Sequence, residues 1–171
     1  MTATQLYRTP DGFDDLLLTA DGEVLTGVLF AGSPDAKKVP QGEPLSRPVP
    51  VLTETAAWLD CYFSGGIPGQ LPPYRIAGLT AFRQDVTDRM LQIPYGQTVT
   101  YGEIAAELAA ARGIARMSAQ AVGGAVGANP LCILIPCHRV IGADGRLVGY
   151  GGGMRNKIAL LRLEGSLPQG M

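Results

Sequence analysis

Apolar residues recur along this chain at several spacings, and each spacing predicts a different element. Asp14 to Thr19 and Glu23 to Phe30 are apolar-rich runs on either side of Ala20-Asp21-Gly22. An Asp-Gly pair between two such runs predicts a β-hairpin. Residues 31–50, rich in Gly, Pro and charge, read as a surface loop. Leu52, Ala56, Leu59 and Phe63 then fall near helical spacing, with Gly65-Gly66 to end the helix. Ser64 to Ala77 is proline- and glycine-rich and reads as a linker. Helical spacing returns from Thr80 to Ile93, with Phe82, Val86, Met90 and Ile93 on one face and Pro94 as the stop. Thr100-Tyr101-Gly102-Glu103 has the form of a capping box and opens a helix that buries Ile104, Ala105, Leu108 and Ala109 and ends at Gly113. Ser118 is an N-cap for residues 119–126. Two short helices so close together are a helix-turn-helix candidate, which spacing alone does not separate from an ordinary helical pair. A last helix, Met154 to Leu163, turns Ile158 and Leu161 inward and stops at Gly165.

One stretch departs from these periods. Leu131 to Ile135 is an unbroken apolar run, which over so few residues predicts a buried strand. Pro136 stops it, because proline has no N–H for a ladder and fixes its own φ. The chain then presents Cys137 and, next to it, the only histidine, His138. A free thiol is only a few per cent thiolate near neutral pH, so a nucleophilic cysteine needs a neighbouring base. In a strand, residues 137 and 138 would face opposite ways, so contact requires a turn or a bridging water.

Composition narrows the setting. Of 171 residues 46% are apolar and 17% charged, as in a globular protein, and no apolar run approaches the ~18 residues of a membrane span. Met1-Thr2-Ala3-Thr4-Gln5 lacks the basic and apolar regions of a secretory signal, which predicts a cytoplasmic protein. Cys61, Cys132 and Cys137 are too few and too irregular for a disulfide framework, and one histidine without a C-x-x-C excludes the usual zinc sites. Net charge is −1 overall, yet residues 1–77 are acidic and residues 78–171 basic, so a polyanion would meet the second half. Gly149-Tyr150-Gly151-Gly152-Gly153 lacks the G-K-[ST] ending of a phosphate loop. Gly123 and Gly124 inside a helix each cost about 1 kcal/mol relative to alanine. They leave a nearly bare helix surface, suited to tight helix packing or to a narrow groove.

Ile135-Pro136-Cys137-His138-Arg139-Val140 resembles the active-site motif of the O6-alkylguanine-DNA alkyltransferases (methylated-DNA–protein-cysteine methyltransferases), and the resemblance runs from about Phe82 to Gly165. It implies an α+β protein with a small N-terminal α/β (ribonuclease-H-like) structural domain, residues 1–77 with the linker. A mostly helical domain, residues 78–171, would carry the helix-turn-helix and the active site. It further implies a monomer that binds double-stranded DNA containing O6-alkylguanine through the minor groove and needs no cofactor or metal. Activity on O4-alkylthymine and cooperative clustering on DNA stay open. Cys137 would accept the alkyl group once and irreversibly. His138 would activate it through a water, and Glu164 in Leu163-Glu164-Gly165 would orient His138. Asn129 would hinge the DNA-reading helix to the cysteine segment, and Tyr101 would protonate the departing guanine. Ala121-Val122-Gly123-Gly124-Ala125 matches the DNA-reading helix, opened by Ser118. Tyr150, Gly151 and Gly152 would form the pocket loop around a base flipped from the duplex. The carbonyls of Cys137 and Val140 would receive the guanine amine, and Arg139 and Lys157 are expected on the DNA and substrate side. Two residues depart from the pattern: Gln120 stands where many members have an intercalating arginine, and Gly151 where many have serine. On the residues alone, a non-catalytic helix-turn-helix protein and a thiol hydrolase using Cys137 and His138 remain alternatives.

Overall fold

The computed structural model describes residues 2–39 and 45–167. Its first half is built on an antiparallel sheet of β1 (Thr2–Tyr7), β2 (Leu16–Asp21) and β3 (Val24–Phe30), in that order across the sheet. The expected hairpin is β2–β3, and its turn uses the left-handed φ of +62° at Gly22. β1 was not expected as a strand: most of its residues are exposed or half-buried, so it has no strong apolar alternation to read. The predicted loop contains a one-turn helix, α1 (Pro34–Lys37), capped by the Ser33 side chain. Residues 40–44 of that loop lie outside the described residues. α2 (Pro50–Phe63) starts with proline in its first turn, where the missing N–H costs nothing. It buries Leu52, Leu59 and Tyr62 against the sheet.

The second half is helical: α3 (Ala81–Leu91), α4 (Tyr101–Arg112), α5 (Ala119–Gly127) and α6 (Met154–Leu163). The end signals read from the sequence operate as local hydrogen bonds. Thr100 and Glu103 form both arms of the capping box, Gly113 closes α4 at φ +66°, and Ser118 accepts from the N–H groups of Gln120 and Ala121. A short parallel pair, β4 (Val99–Thr100) with β5 (Val140–Ile141), fixes the start of α4 beside the segment after Cys137.

The predicted strand over Leu131 to Ile135 is not one. Only Leu131 lies along the sheet, bridging in parallel to Val28, with Val28 N–H donating to Pro130 O and Cys132 N–H to Val28 O, both at 2.9 Å. The chain then leaves the sheet in a tight turn at Ile133, where φ is +74° and Leu134 N–H donates to Cys132 O. All of Leu131 to His138 is buried, which is why the run is apolar throughout without being extended. A single hydrophobic cluster runs from Leu16 and Phe30 in the sheet through Val86, Ile104 and Val122 to Ile135 and Leu160. No helix among the described residues is long and apolar enough to cross a membrane.

Candidate active site at Cys137

Two tight turns place the cysteine. Leu134 N–H donates to Cys132 O at 2.9 Å around Ile133, whose φ is +74°. This is the strained form of the γ-turn, unusual for a β-branched residue. Cys137 N–H then donates to Ile135 O at 2.7 Å around Pro136, at φ −80° and ψ +64°, the relaxed form of the same turn. Asn129 clamps the loop: Nδ2 donates to Ile135 O at 2.9 Å and to Leu131 O at 3.3 Å, and Oδ1 accepts from Leu131 N–H at 3.0 Å. The asparagine therefore ties the end of α5 to the cysteine loop. Residues 137–139 form one turn of 3₁₀ helix, so Cys137 and His138 do not face opposite ways as they would in a strand.

His138 is fully enclosed, with Nε2 2.6 Å from Oε2 of Glu164. Arg139 grips the same carboxylate, Nε to Oε1 at 2.7 Å and Nη2 to Oε2 at 3.2 Å, while its Nη1 donates to Ile93 O at 2.7 Å. Burial alone would raise the Glu164 carboxyl, but the hydrogen bonds and charge of His138 and Arg139 outweigh it and hold the group at about 2. An ionised Glu164 accepts only, so Nε2 donates to it and Nδ1 is the nitrogen at which a proton can be gained or lost. Nδ1 is buried, with no hydrogen-bond partner among the described residues.

Cys137 Sγ lines a cavity of about 900 Å³ together with Tyr101, Gln120, Asn129, Cys132, Tyr150 and Gly151. The thiol is held at about 6, well below its ordinary value, chiefly by a hydrogen bond from Cys132. Burial opposes the shift, and the His138 charge, Asn129 and Tyr150 add to it. Tyr150 Oη stands 3.8 Å from Sγ. Burial and the nearby sulfur raise both Tyr150 and Tyr101, so both phenols stay protonated and can donate. On the cavity rim, Ala119, Gln120 and Gly124 of α5 are exposed, as is Ala121 on the same helix, and an added Cβ at Gly123 would meet the Tyr101 ring at 3.8 Å, an ordinary contact. This is a smooth, uncharged face.

Three expected DNA or substrate residues are placed differently. Arg139 turns inward, committed to Glu164 and Ile93. Lys157 is fully buried, and its Nζ donates to Val140 O at 2.8 Å. The Val140 carbonyl, expected to receive a base amine, therefore already has a donor. Each cation is drawn in because a buried acceptor waits for it, and that acceptor lies elsewhere in the chain.

The first half contributes more to the site than its sequence indicated. Phe30 meets Tyr150 edge-on with centroids 6.4 Å apart. Asn156 donates to Asp14 Oδ2 and accepts from Asp14 N–H, both at 2.9 Å, while also holding Gly152 O at 2.7 Å. An alanine Cβ at Gly152 would lie 2.6 Å from Phe30 and 2.8 Å from Tyr150. Gly152→Ala is therefore expected to cost about 1–3 kcal/mol in urea unfolding; an unchanged midpoint would mean the loop yields freely. Cys132 and Tyr62, which touch Cys137 and Glu164, had no signal of their own in the sequence: one sits in an apolar run, the other on a helix's buried face.

Residues 81–166 match the family model of the 6-O-methylguanine DNA methyltransferase DNA-binding domain. A methylated-DNA–protein-cysteine methyltransferase of Mycobacterium bovis is 48% identical over 94% of this chain and 92% of that protein. One from Mycobacterium leprae is 45% identical over 66% of this chain, spanning 65% of its own length. A crystal structure of Mycobacterium tuberculosis O6-methylguanine methyltransferase superposes with TM-score 0.77 at 35% identity, covering 99% of this chain and 96% of that one. A Mycobacterium tuberculosis OGT complex with DNA gives 0.74 at 36% identity over 96% and 92%.

Proposed function

The chain belongs to the 6-O-methylguanine DNA methyltransferase family, and on that premise we propose that it reverses DNA alkylation by moving the alkyl group of O6-alkylguanine onto Cys137. α5 enters the minor groove of the duplex with its bare face, which suits little sequence discrimination. The damaged base turns out of the stack into the cavity above Cys137. Sγ attacks the alkyl carbon in line: an S–C bond forms and the O–C bond to guanine breaks. The Cys137 proton passes through a water to Nδ1 of His138, and Glu164 stabilises the imidazolium that results. Tyr101 returns a proton to the purine. The product is a thioether that no group in the site can cleave, so each molecule reacts once.

The observation that carries this reading is the placing of Cys137 on a cavity large enough for a base, next to a histidine held by Glu164. A non-catalytic DNA-binding protein would leave that arrangement without a use, and a thiol hydrolase would leave the bare α5 face without one. The division at residues 77 and 78 and a ribonuclease-H-like N-terminal domain belong to the same proposal. The test is the intact mass after incubation with O6-methylguanine duplex. A gain of one methyl on the Cys137 peptide supports the proposal, and an unchanged mass ends it.

Gln120 stands on the exposed face of α5 beside the cavity and brings no charge. Gln120→Arg is expected to tighten duplex binding and steepen its dependence on log salt by about one unit. An unchanged slope in a salt titration would place residue 120 away from the DNA.

A further inference from the structure

Tyr62 is where the N-terminal half reaches the relay. It lies in the last turn of α2 and is 1% exposed. Its ring is fixed on three sides, stacked on Trp58 at 5.9 Å and edge-on to Phe63 at 5.3 Å and to Tyr95 at 6.1 Å. Its hydroxyl donates at 2.5 Å to Oε2 of Glu164, the oxygen that also faces Nε2 of His138 at 2.6 Å. We propose that Tyr62 is a positioning residue for the reaction at Cys137, acting through Glu164 by drawing part of the carboxylate charge away from the imidazole. The proposal rests on the reading that His138 activates Cys137.

A carboxylate oxygen that accepts two short hydrogen bonds divides its charge between them. Arg139 spans both oxygens from the other side, so the carboxylate plane is kept when the phenol hydroxyl is removed. What changes is the charge presented to Nε2. Without Tyr62 the imidazolium is better stabilised, and Cys137 gives up its proton at lower pH. A thiolate of lower basicity is a weaker nucleophile, so transfer slows where the thiol is already ionised. The titratable and charged groups around Glu164 are Tyr62, Tyr95, His138 and Arg139. Around Cys137 they are His138, Cys132, Tyr150, Tyr101 and Lys157. Removing one hydroxyl from α2 leaves every other one of these side chains present, so the change reaches Cys137 through Glu164 and His138. Burial, then the Glu164 charge, raises the Tyr62 phenol, which keeps it a donor throughout the working range.

The experiment uses the full chain and follows alkylation of the Cys137 peptide by iodoacetamide across pH, alongside methyl transfer from O6-methylguanine duplex. In Tyr62→Phe the inflection is expected to move down from about 6 by roughly half a unit to one unit. Methyl transfer near neutral pH should slow about one-and-a-half- to threefold, with the Kd for duplex unchanged. Tyr7→Phe removes another phenol donor of the same half, bonded to Asp60 at 2.7 Å, and should change neither readout. In a Glu164→Gln background Tyr62→Phe should add nothing, since the effect passes through that carboxylate. An inflection that stays put or moves up overturns the proposal, as does a shift that survives Glu164→Gln or is matched by Tyr7→Phe. If the unmodified chain takes no methyl but Tyr62→Phe still lowers the inflection, the alkyl-transfer reading fails and the role of Tyr62 stands.

Discussion

Cys137→Ala is expected to abolish methyl uptake from O6-methylguanine duplex while DNA affinity is kept. The proposed reaction needs a thiolate at one point of the cavity, and of the two cysteines that line it Cys137 is the one whose surroundings favour ionisation. Its hydrogen bond with Cys132 and the charge of His138 lower it below the ordinary thiol range, whereas a free cysteine is only a few per cent thiolate near neutral pH. Cys132 lines the same cavity but cannot stand in. Its hydrogen bond to Cys137 and its burial raise it well above the ordinary range, and burial remains after Cys137 is removed. DNA contact is unaffected in this reading because it runs through α5 and not through the sulfur. The measurement is intact mass with peptide mapping, paired with a binding titration. Methyl found on a Cys132 peptide would show that the wrong thiol has been assigned.

Loss of the Glu164 carboxylate should have the second largest effect, on both rate and stability. Glu164→Ala leaves His138 Nε2, the Tyr62 hydroxyl and the Arg139 guanidinium without their shared acceptor, inside a site where Glu164 is 6% exposed. Removing one partner of such a buried set typically costs about 3–5 kcal/mol. It also frees the imidazole to turn, so methyl transfer should fall by about two orders of magnitude or more. The pH dependence has a definite sign. The folded-state pKa of Glu164 is depressed, from 4.5 to about 2. Its contribution is therefore complete above about pH 4.5 and is lost as pH falls through about 2, roughly 3 kcal/mol in all. Urea unfolding at a series of pH values should show the native chain weakening across that window and Glu164→Gln with a flatter profile. Equal slopes for the two would mean that the carboxylate is not held ionised by its partners.

Comparison of the two halves shows which parts of the fold could be read in advance. Thr80, Thr100, Glu103, Gly113 and Ser118 bound their helices where the sequence places the signals, because a cap joins side chain or backbone groups at most four residues apart along the chain. The Asp21-Gly22 turn and the Asn129 clamp on Leu131 are equally local. β1 escapes such reading because an edge strand with a half-exposed face has little alternation. The apolar run before Pro136 misleads for the opposite reason: complete burial removes the alternation that would tell a strand from a coil of tight turns.

The same division holds at the site. The order of residues along the chain determined that a thiol, its imidazole and a glutamate at a helix end would be present, and that a bare helix would precede them. Folding alone decided what each of them faces. Tyr62 and Glu164 are 102 residues apart, and Asp14 and Asn156 are 142 apart. Arg139 and Lys157 point inward because carbonyl and carboxylate acceptors from distant segments close around them. Buried charges must find partners wherever the packed core provides them, and no periodicity along the chain records where that is.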